Sequence, residues 1–329
     1  MKILVTGSAG FIGYHLAQQL LADGHEVVGF DNFNDYYDPT LKEARHNQLI
    51  AHEHYHAVRG DLSDYGLLQS LFSTHAFDRV CHLAAQAGVR YSIEKPFAYQ
   101  QSNLEGHLNV LEACRHANVS RLVYASSSSV YGGNKKIPFA ESDSVDQPVS
   151  LYAATKKANE LMSHTYTHLY GLQTVGLRFF TVYGPWGRPD MAYWLFTKAM
   201  LADKPIKVFN QGDMQRDFTY VDDVVAGVVQ ALQVDGLAPY EIFNIGNNKP
   251  EHLMAFIETV AECLGVEPKM ELLPMQPGDV PTTYADITAA QKKLGYKPTT
   301  SMKQGLQAFT DWYQSHADMI SASCSDQSS

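Results

Sequence analysis

No stretch of the 329 residues approaches the roughly 20 consecutive apolar positions that a bilayer-spanning helix needs. The longest candidate, Val224 to Leu232, is short and contains Gly227 and Gln230. Cysteine is scarce. Cys81, Cys114, Cys263 and Cys324 form no CxxC pair and no metal-ligand spacing. Three of them lie in apolar segments, which points to buried free thiols in a reducing compartment. An excess of positive charge is also missing: 25 Lys and Arg face 35 Asp and Glu, a formal net charge of −10. That argues against nucleic acid or an anionic membrane as partner. It also sets a condition: any anionic substrate needs a site that is locally basic in an acidic protein. Lys2-Ile3-Leu4-Val5-Thr6-Gly7 reads at once as a strand entering a glycine turn, so we expect no secretory leader and a cytoplasmic location.

What is present alternates. Ile3–Thr6, Glu26–Asp31, Tyr55–Gly60, Arg79–Ala84, Arg121–Ser126 and Thr174–Phe180 read as strands. Most are hydrophobic without strict polar alternation, as strands covered on both faces are. Helical patterns fall between them: Phe11 to Leu20, Asp64 to Ser73 with Asp64 or Ser63 as cap, and a longer one after Pro96 with a stripe of Leu104, Leu108, Leu111 and Ala113. Repeated β-α-β units imply a parallel, doubly wound sheet. From Tyr183 onward, proline, glycine and aromatic residues punctuate shorter elements. The expected division is therefore 1–180 for the sheet domain and 181–329 mainly for a smaller α/β substrate domain. Parts of 205–247, notably the helix Val221–Val234 and the strand Tyr240–Gly246, are expected to return to the sheet. A frayed tail is expected over 317–329.

Gly7-Ser8-Ala9-Gly10-Phe11-Ile12-Gly13 follows a strand and opens a helix. Glycines there let the backbone turn tightly against a pyrophosphate, and the helix start offers N–H groups and a positive dipole end. Asp31 ends the next strand, where a carboxylate meets the adenosine ribose and repels a 2′-phosphate. Asn32 and Phe33 add no cation, so NAD is favoured over NADP. Asp61 and Leu62 are placed to touch the adenine, the alternative for Asp61 being a helix cap.

Tyr152-Ala-Ala-Thr-Lys156 puts a phenol and an ammonium on one face of a helix. A phenol of pKa about 10 is a poor base at neutral pH. A nearby Lys⁺ and a positive nicotinamide both favour phenolate, so Tyr152 can take a hydroxyl proton while the same carbon is oxidised. The run Ser126-Ser127-Ser128-Ser129 ends the fifth strand just upstream, in reach of the same hydroxyl.

The glycine turn, Asp31, the serines before Val130-Tyr131-Gly132 and the Tyr152/Lys156 pair together resemble the extended short-chain dehydrogenase/reductases, the NAD-dependent epimerase/dehydratase family, over nearly the whole chain. The resemblance implies a Rossmann-type fold. It makes Ser127 the match to the catalytic Ser/Thr, with Ser126 and Ser128 still open, and implies a homodimer through the helices holding Leu104 and Tyr152. Within that family, Asp31 to Asp38 and Arg178 to Ala192 look like the UDP-glucuronate 4-epimerases. That resemblance implies a sugar carboxylate gripped by Thr181 and Arg188, and a UDP-sugar cradle made by Val208, Phe209 and Arg216. Ser128 and Arg90 join the expected substrate contacts, and Asp279 is matched to the uridine ribose. Related dehydratases carry Asp-Glu where this chain has Ser128-Ser129, which disfavours dehydration. Competing readings are a UDP-glucose or UDP-N-acetylglucosamine 4-epimerase, a UDP-glucuronate decarboxylase, and a non-catalytic NAD sensor. His52, His54 and His56 alternate as strand residues on one face would. No nearby cysteine completes a set, so an exposed polar edge is expected there and no metal.

Overall fold

Alternate residues along the first strand face two different hydrophobic cores, and this fixes the architecture. Ile3 and Val5 pack into one core and Leu4 into the other. That strand therefore needs cover on both faces. The computed structural model, which describes residues 1–276 and 280–320, shows how this cover is supplied. The strands β1 (Lys2–Thr6), β2 (Glu26–Asp31), β3 (Tyr55–Arg59), β4 (Arg79–His82), β5 (Arg121–Ser127) and β6 (Gln173–Phe179) lie in one parallel sheet. The next three, β7 (Thr181–Tyr183), β8 (Ile206–Val208) and β9 (Gln215–Tyr220), lie outside it. Then β10 (Tyr240–Ile245) returns and pairs in parallel with β6, Tyr240 opposite Thr174. The spatial order is β10-β6-β5-β4-β1-β2-β3. The chain winds outward from β1 in one direction, then crosses back and winds outward from β4. Between β1 and β4 lies the switch point, where ligands of doubly wound sheets bind beyond the carboxyl ends of the strands.

The helices in chain order are α1 (Phe11–Ala22), α2 (Thr40–Leu49), α3 (Tyr65–Thr74), α4 (Tyr91–Glu94), α5 (Pro96–Tyr99), α6 (Gly106–His116) and α7 (Leu151–Tyr170), followed by α8 (Ala192–Leu201), α9 (Val221–Gln233), α10 (Leu253–Leu264), α11 (Thr288–Leu294) and α12 (Met302–Ser315). Leu16, Leu20, Val224 and Val228 of α1 and α9 fill the core on one face of the sheet. Leu68, Leu71, Val110 and Cys114 of α3 and α6 fill the other. Outside the main sheet, β7 and β9 are joined by the antiparallel β11 (Pro250–His252), and β8 pairs with β12 (Met270–Leu272). An aromatic cluster of Trp194, Phe309, Trp312 and Tyr313 binds α8 to α12.

Several expectations are corrected. The helix after Pro96 runs on to His116 as expected, but it passes through a π-helical turn over Gln100–Glu105 between α5 and α6, and Leu108 of the expected apolar stripe is exposed. Asp64, not Asp61 or Ser63, caps α3, its side chain accepting from Leu67 N at 2.9 Å. Of the tail expected over 317–329, residues 317–320 are helical with Ile320 buried, and 321–329 lie outside the described residues. His52 and His54 lie in the turn before β3 and only His56 is in the strand, which breaks the expected alternation. Cys81 and Cys114 are buried free thiols, and Cys263 is half-buried. Among the described residues no helix is long and apolar enough to cross a membrane.

Candidate active site

The carboxyl ends of β1, β2, β4 and β5 open onto a cleft of about 260 Å³. Its floor is the turn after β1. Gly7 has φ +75°, and a Cβ there would sit 2.8 Å from Ala84 N. A Cβ on Gly13 would come 2.0 Å from Gly7 O, so α1 can start directly on the turn only with glycine at that position. Phe11 and Ile12 complete this wall. Asp31 is buried at the end of β2, and its two oxygens accept from Ala9 N at 3.0 Å and Phe33 N at 2.8 Å. Each oxygen keeps lone-pair capacity for a ribose hydroxyl. Asn32 donates to Asp61 at 2.7 Å, and Asp61 and Leu62 line the same end. Burial pushes the Asp61 carboxyl up, but bonds from Ser63 and Asn32 outweigh it and hold the pKa below its ordinary value. A glycine floor, a helix start and a ribose-height carboxylate fit a dinucleotide.

The other end carries the reactive groups. Ser150 caps α7 by accepting from Ala153 N at 3.1 Å. The buried face of α7 is Ala153, Thr155, Lys156, Asn159, Glu160 and Ser163, helically spaced and mostly polar. Tyr152 and Lys156 both line the cleft. Lys156 donates to Ala125 O at 2.9 Å, and burial lowers its pKa to about 8. Burial raises the Tyr152 phenol above its ordinary value, opposed by its hydrogen bond with Ser127 and by the charge of Arg188. The phenol is therefore neutral until further positive charge arrives.

Alternation along β5 separates the serines. Ser126 Oγ donates to Glu160 Oε1 at 2.7 Å, and Arg178 grips the same carboxylate at 2.8 and 2.9 Å. That hydroxyl is committed to the interior. Ser127 Oγ accepts from Ser129 N at 3.1 Å, and Ser127 lines the cleft with Tyr152, whose phenol pKa it lowers. Ser128 begins the 3₁₀ turn Ser128–Tyr131 and does not line the cleft.

Beneath these groups, the π-helical turn places Asn103 where its side chain accepts from Gln86 N at 2.8 Å and donates to Gln86 O and Thr155 Oγ1, both at 3.0 Å. This ties the wall after β4 to the helix holding Tyr152. On the opposite rim, Arg188 enters the cleft beside Met191 and Tyr36. Thr181, on β7, is not among the lining residues. Val208, Phe209, Arg90 and Arg216 lie outside it as well, though the Arg90 guanidinium sits 5.2 Å from the Phe209 ring centre. Asp279 falls outside the described residues.

Sequence reasoning missed several neighbours. Lys42 donates to Asn34 O and Oδ1 at 2.6 Å and lines the cleft, its pKa lowered to about 8 by burial. Arg45, fully buried, bonds Ala9 O, Tyr37 OH and the carbonyls of Trp186 and Gly187. It thereby joins the glycine turn to the loop before Arg188. The segment Asp31–Asp38 was the available signal for this region.

Residues 3–246 match the model of the NAD-dependent epimerase/dehydratase family. A UDP-glucuronate 4-epimerase of Arabidopsis thaliana is 50% identical over 96% of this chain and 77% of its own length. The crystal structure of UDP-glucuronic acid 4-epimerase from Bacillus cereus, in complex with UDP-glucuronic acid and NAD, superposes with a TM-score of 0.90 at 38% identity, covering 96% of this chain and 99% of that one. UDP-glucose 4-epimerase from Thermotoga maritima, with UDP-glucose, gives 0.87 at 30% identity over 96% and 100%. A family match over residues 3–246, with these relatives covering nearly the whole chain, settles its kinship: the chain belongs to the NAD-dependent epimerase/dehydratase family.

Proposed function

We propose that the protein is a UDP-glucuronate 4-epimerase, an isomerase that interconverts UDP-glucuronate and UDP-galacturonate. The observation that carries this reading is that Tyr152, Ser127, Lys156 and Arg188 line one cleft with the glycine turn and Asp31. The relatives described above support it. Gly7, Gly10, Phe11, Ile12, Gly13, Asp31, Asn32, Asp61 and Leu62 would hold the adenosine and diphosphate of NAD, and Lys156 and Tyr152 its nicotinamide end. Bound there, NAD would supply reversible two-electron oxidation at C4 of the sugar and would serve as a resident cofactor.

Tyr152 takes the proton of the C4 hydroxyl and later returns one to O4. Ser127 holds that oxygen and the phenol together. Lys156 keeps positive charge near the phenol, and with a bound cofactor this favours the phenolate that burial alone opposes. After oxidation the sugar is a 4-ketone. It turns about its diphosphate link, presents its other face, and is reduced with inverted C4 configuration. Val208, Phe209, Arg216 and Arg90, with Ser128 and Asp279, hold the nucleotide and sugar. Thr181 and Arg188 grip the carboxylate, since arginine binds a carboxylate through two directed, charge-assisted bonds. The grip matters because the ketone is β to that carboxylate, and CO₂ leaves readily when the breaking bond aligns with the carbonyl π system.

The exposed leucines Leu108 on α6 and Leu161 and Leu169 on α7, 41, 57 and 60% accessible, support a homodimer through these helices, to be checked by molar mass in solution. We place the dimer in the cytoplasm. The functional test is direct: the purified enzyme, with and without added NAD, is mixed with UDP-glucuronate. UDP-galacturonate is the expected product, and its absence under both conditions rejects the reading.

A further inference from the structure

The epimerase reading leaves one part of the site unexplained: the rim of the cleft on which Arg188 sits. Arg188 is not a single cation aimed at a ligand. Its Nε and Nη2 are taken by Asp190, at 3.0 Å to Oδ1 and 2.5 Å to Oδ2. Tyr36 OH donates to the same Asp190 carboxylate at 2.9 Å, and the Arg188 guanidinium lies 5.8 Å from the Tyr36 ring centre. Tyr36 comes from the loop after β2, in the other half of the molecule. It packs on Tyr91 with ring centres 4.7 Å apart. Gly88 makes room for its hydroxyl, since a Cβ there would lie 2.8 Å from it. The loop is anchored on both sides of Tyr36, by Lys42 on Asn34 and by Arg45 on Tyr37 OH.

Arginine has five N–H donors arranged along two edges that each match a carboxylate. Asp190 occupies the Nε–Nη2 edge. It does not line the catalytic cleft but a neighbouring cavity, while Arg188 lines the cleft and Tyr36 lines both. The remaining Nη1–Nη2 edge is therefore the one that a substrate carboxylate can use. We infer that Tyr36 and Asp190 are positioning residues that fix the plane of Arg188, so that it holds the sugar carboxylate in one orientation rather than merely attracting it. This rests on the proposed epimerase activity and deepens it. It also gives the segment Asp31–Asp38 a role beyond the cofactor.

The arrangement has a distinctive consequence. The Asp190 charge opposes the arriving carboxylate, so the pair trades affinity for orientation. Burial alone would weaken the Arg188 charge, but Asp190 outweighs it and holds the guanidinium pKa above its ordinary value, so the cation is kept whether or not ligand is present. Loss of CO₂ from the 4-keto acid breaks C5–C6, sends the bonding pair toward the C4 oxygen, and adds a proton at C5. It leaves a 4-ketopentose, with one cofactor in reduced form. Orientation of the carboxylate governs this loss; affinity does not.

The test uses Asp190→Asn and Tyr36→Phe in the full-length enzyme, with UDP-glucuronate and UDP-glucose as ligands. Three readouts are needed: kcat and KM, the ratio of UDP-galacturonate to UDP-4-ketopentose, and calorimetric affinity for both nucleotides. For Asp190→Asn the expected result is a KM for UDP-glucuronate no higher than the parent's, kcat lower by about 10-fold, and a 4-ketopentose fraction higher by about 10-fold. Tyr36→Phe should move the last two in the same direction by about 3-fold, with UDP-glucose affinity unchanged in both variants. An unchanged product ratio in both variants overturns the inference. So does an equal loss with acidic and neutral sugars, which is what a merely structural role produces. A parent enzyme inactive on UDP-glucuronate instead overturns the functional reading, and this inference with it.

Discussion

Replacing Ser126 and Ser127 separately by alanine should divide stability from catalysis, although the two residues are adjacent and chemically identical. Ser126 Oγ donates at 2.7 Å to Glu160, whose side chain is 1% exposed. A hydrogen bond to a charged group contributes about 1.5–3 kcal/mol. Here the lower end applies, because Glu160 keeps both bonds to Arg178 when the serine is gone. Ser126→Ala should therefore cost about 1.5–2 kcal/mol, which lowers Tm by about 2–3 °C for a protein of 329 residues. Its kcat should stay within about 2-fold of the parent's, since the lost bond points into the interior. Ser127→Ala gives up a bond to Ser129 N that water can replace, so it should cost about 0.5–1 kcal/mol. It also removes the hydroxyl that bonds Tyr152, and kcat should fall by about 100-fold, as when one positioned donor is deleted from an active site. Scanning calorimetry and initial rates on the same preparations read both quantities. A larger rate loss in Ser126→Ala than in Ser127→Ala would refute the assignment.

Gly13→Ala places a methyl 2.0 Å from Gly7 O, a backbone atom that no side-chain motion can clear, so the turn must shift. It should cost about 1–3 kcal/mol and lower cofactor retention by at least about 10-fold, measured as NAD released on denaturation; parent-like NAD content would sink this account. Burial, with the charge of Lys156, lowers the His82 pKa to about 3, and burial lowers that of His15 to about 4. Between those values and about 6.5 the unfolded chain binds protons that the folded one does not, so stability should fall as pH drops below about 6.5, by about 1.4 kcal/mol per unit for each histidine. Urea titrations from neutral pH to about pH 5 should show that slope, and a shallower one in His82→Gln; equal slopes would count against it.

The legible parts of the sequence were those set by local rules. The strands with their two-sided hydrophobic cover, the glycine turn and the Tyr152/Lys156 spacing all depend on residues near one another in the chain, and strand ends were placed to within about two residues. The helix after Pro96 was legible, but the π-helical turn inside it was not, because that turn has a tertiary cause. The π-helical turn turns Asn103 toward Gln86 and Thr155, and no periodicity announces that. Helix α2 went unread for a related reason. Its buried face includes Lys42, Arg45 and His46, so hydropathy makes it look like an exposed polar segment. Asp190 was passed over because its partner Tyr36 is 154 residues away and belongs to the other half of the fold.

The unread Lys42 and Arg45, with the charges that the sequence did show, meet the condition that the acidic composition imposed. The formal net charge is −10, yet the cleft is lined by three cations, Lys42, Lys156 and Arg188, against two carboxylates, Asp31 and Asp61. Arg45 adds a fourth positive group just behind the glycine turn, bonded only to carbonyls and a phenol among the partners named above. Under the proposed function, the two carboxylates would face an uncharged ribose and adenine, while Lys156 and Arg188 would face a phenolate and a sugar acid. A charge placed at random in so acidic a chain would more often be negative. Under the proposed function, this segregation of sign within one cleft would let a globally acidic protein take an anionic sugar acid.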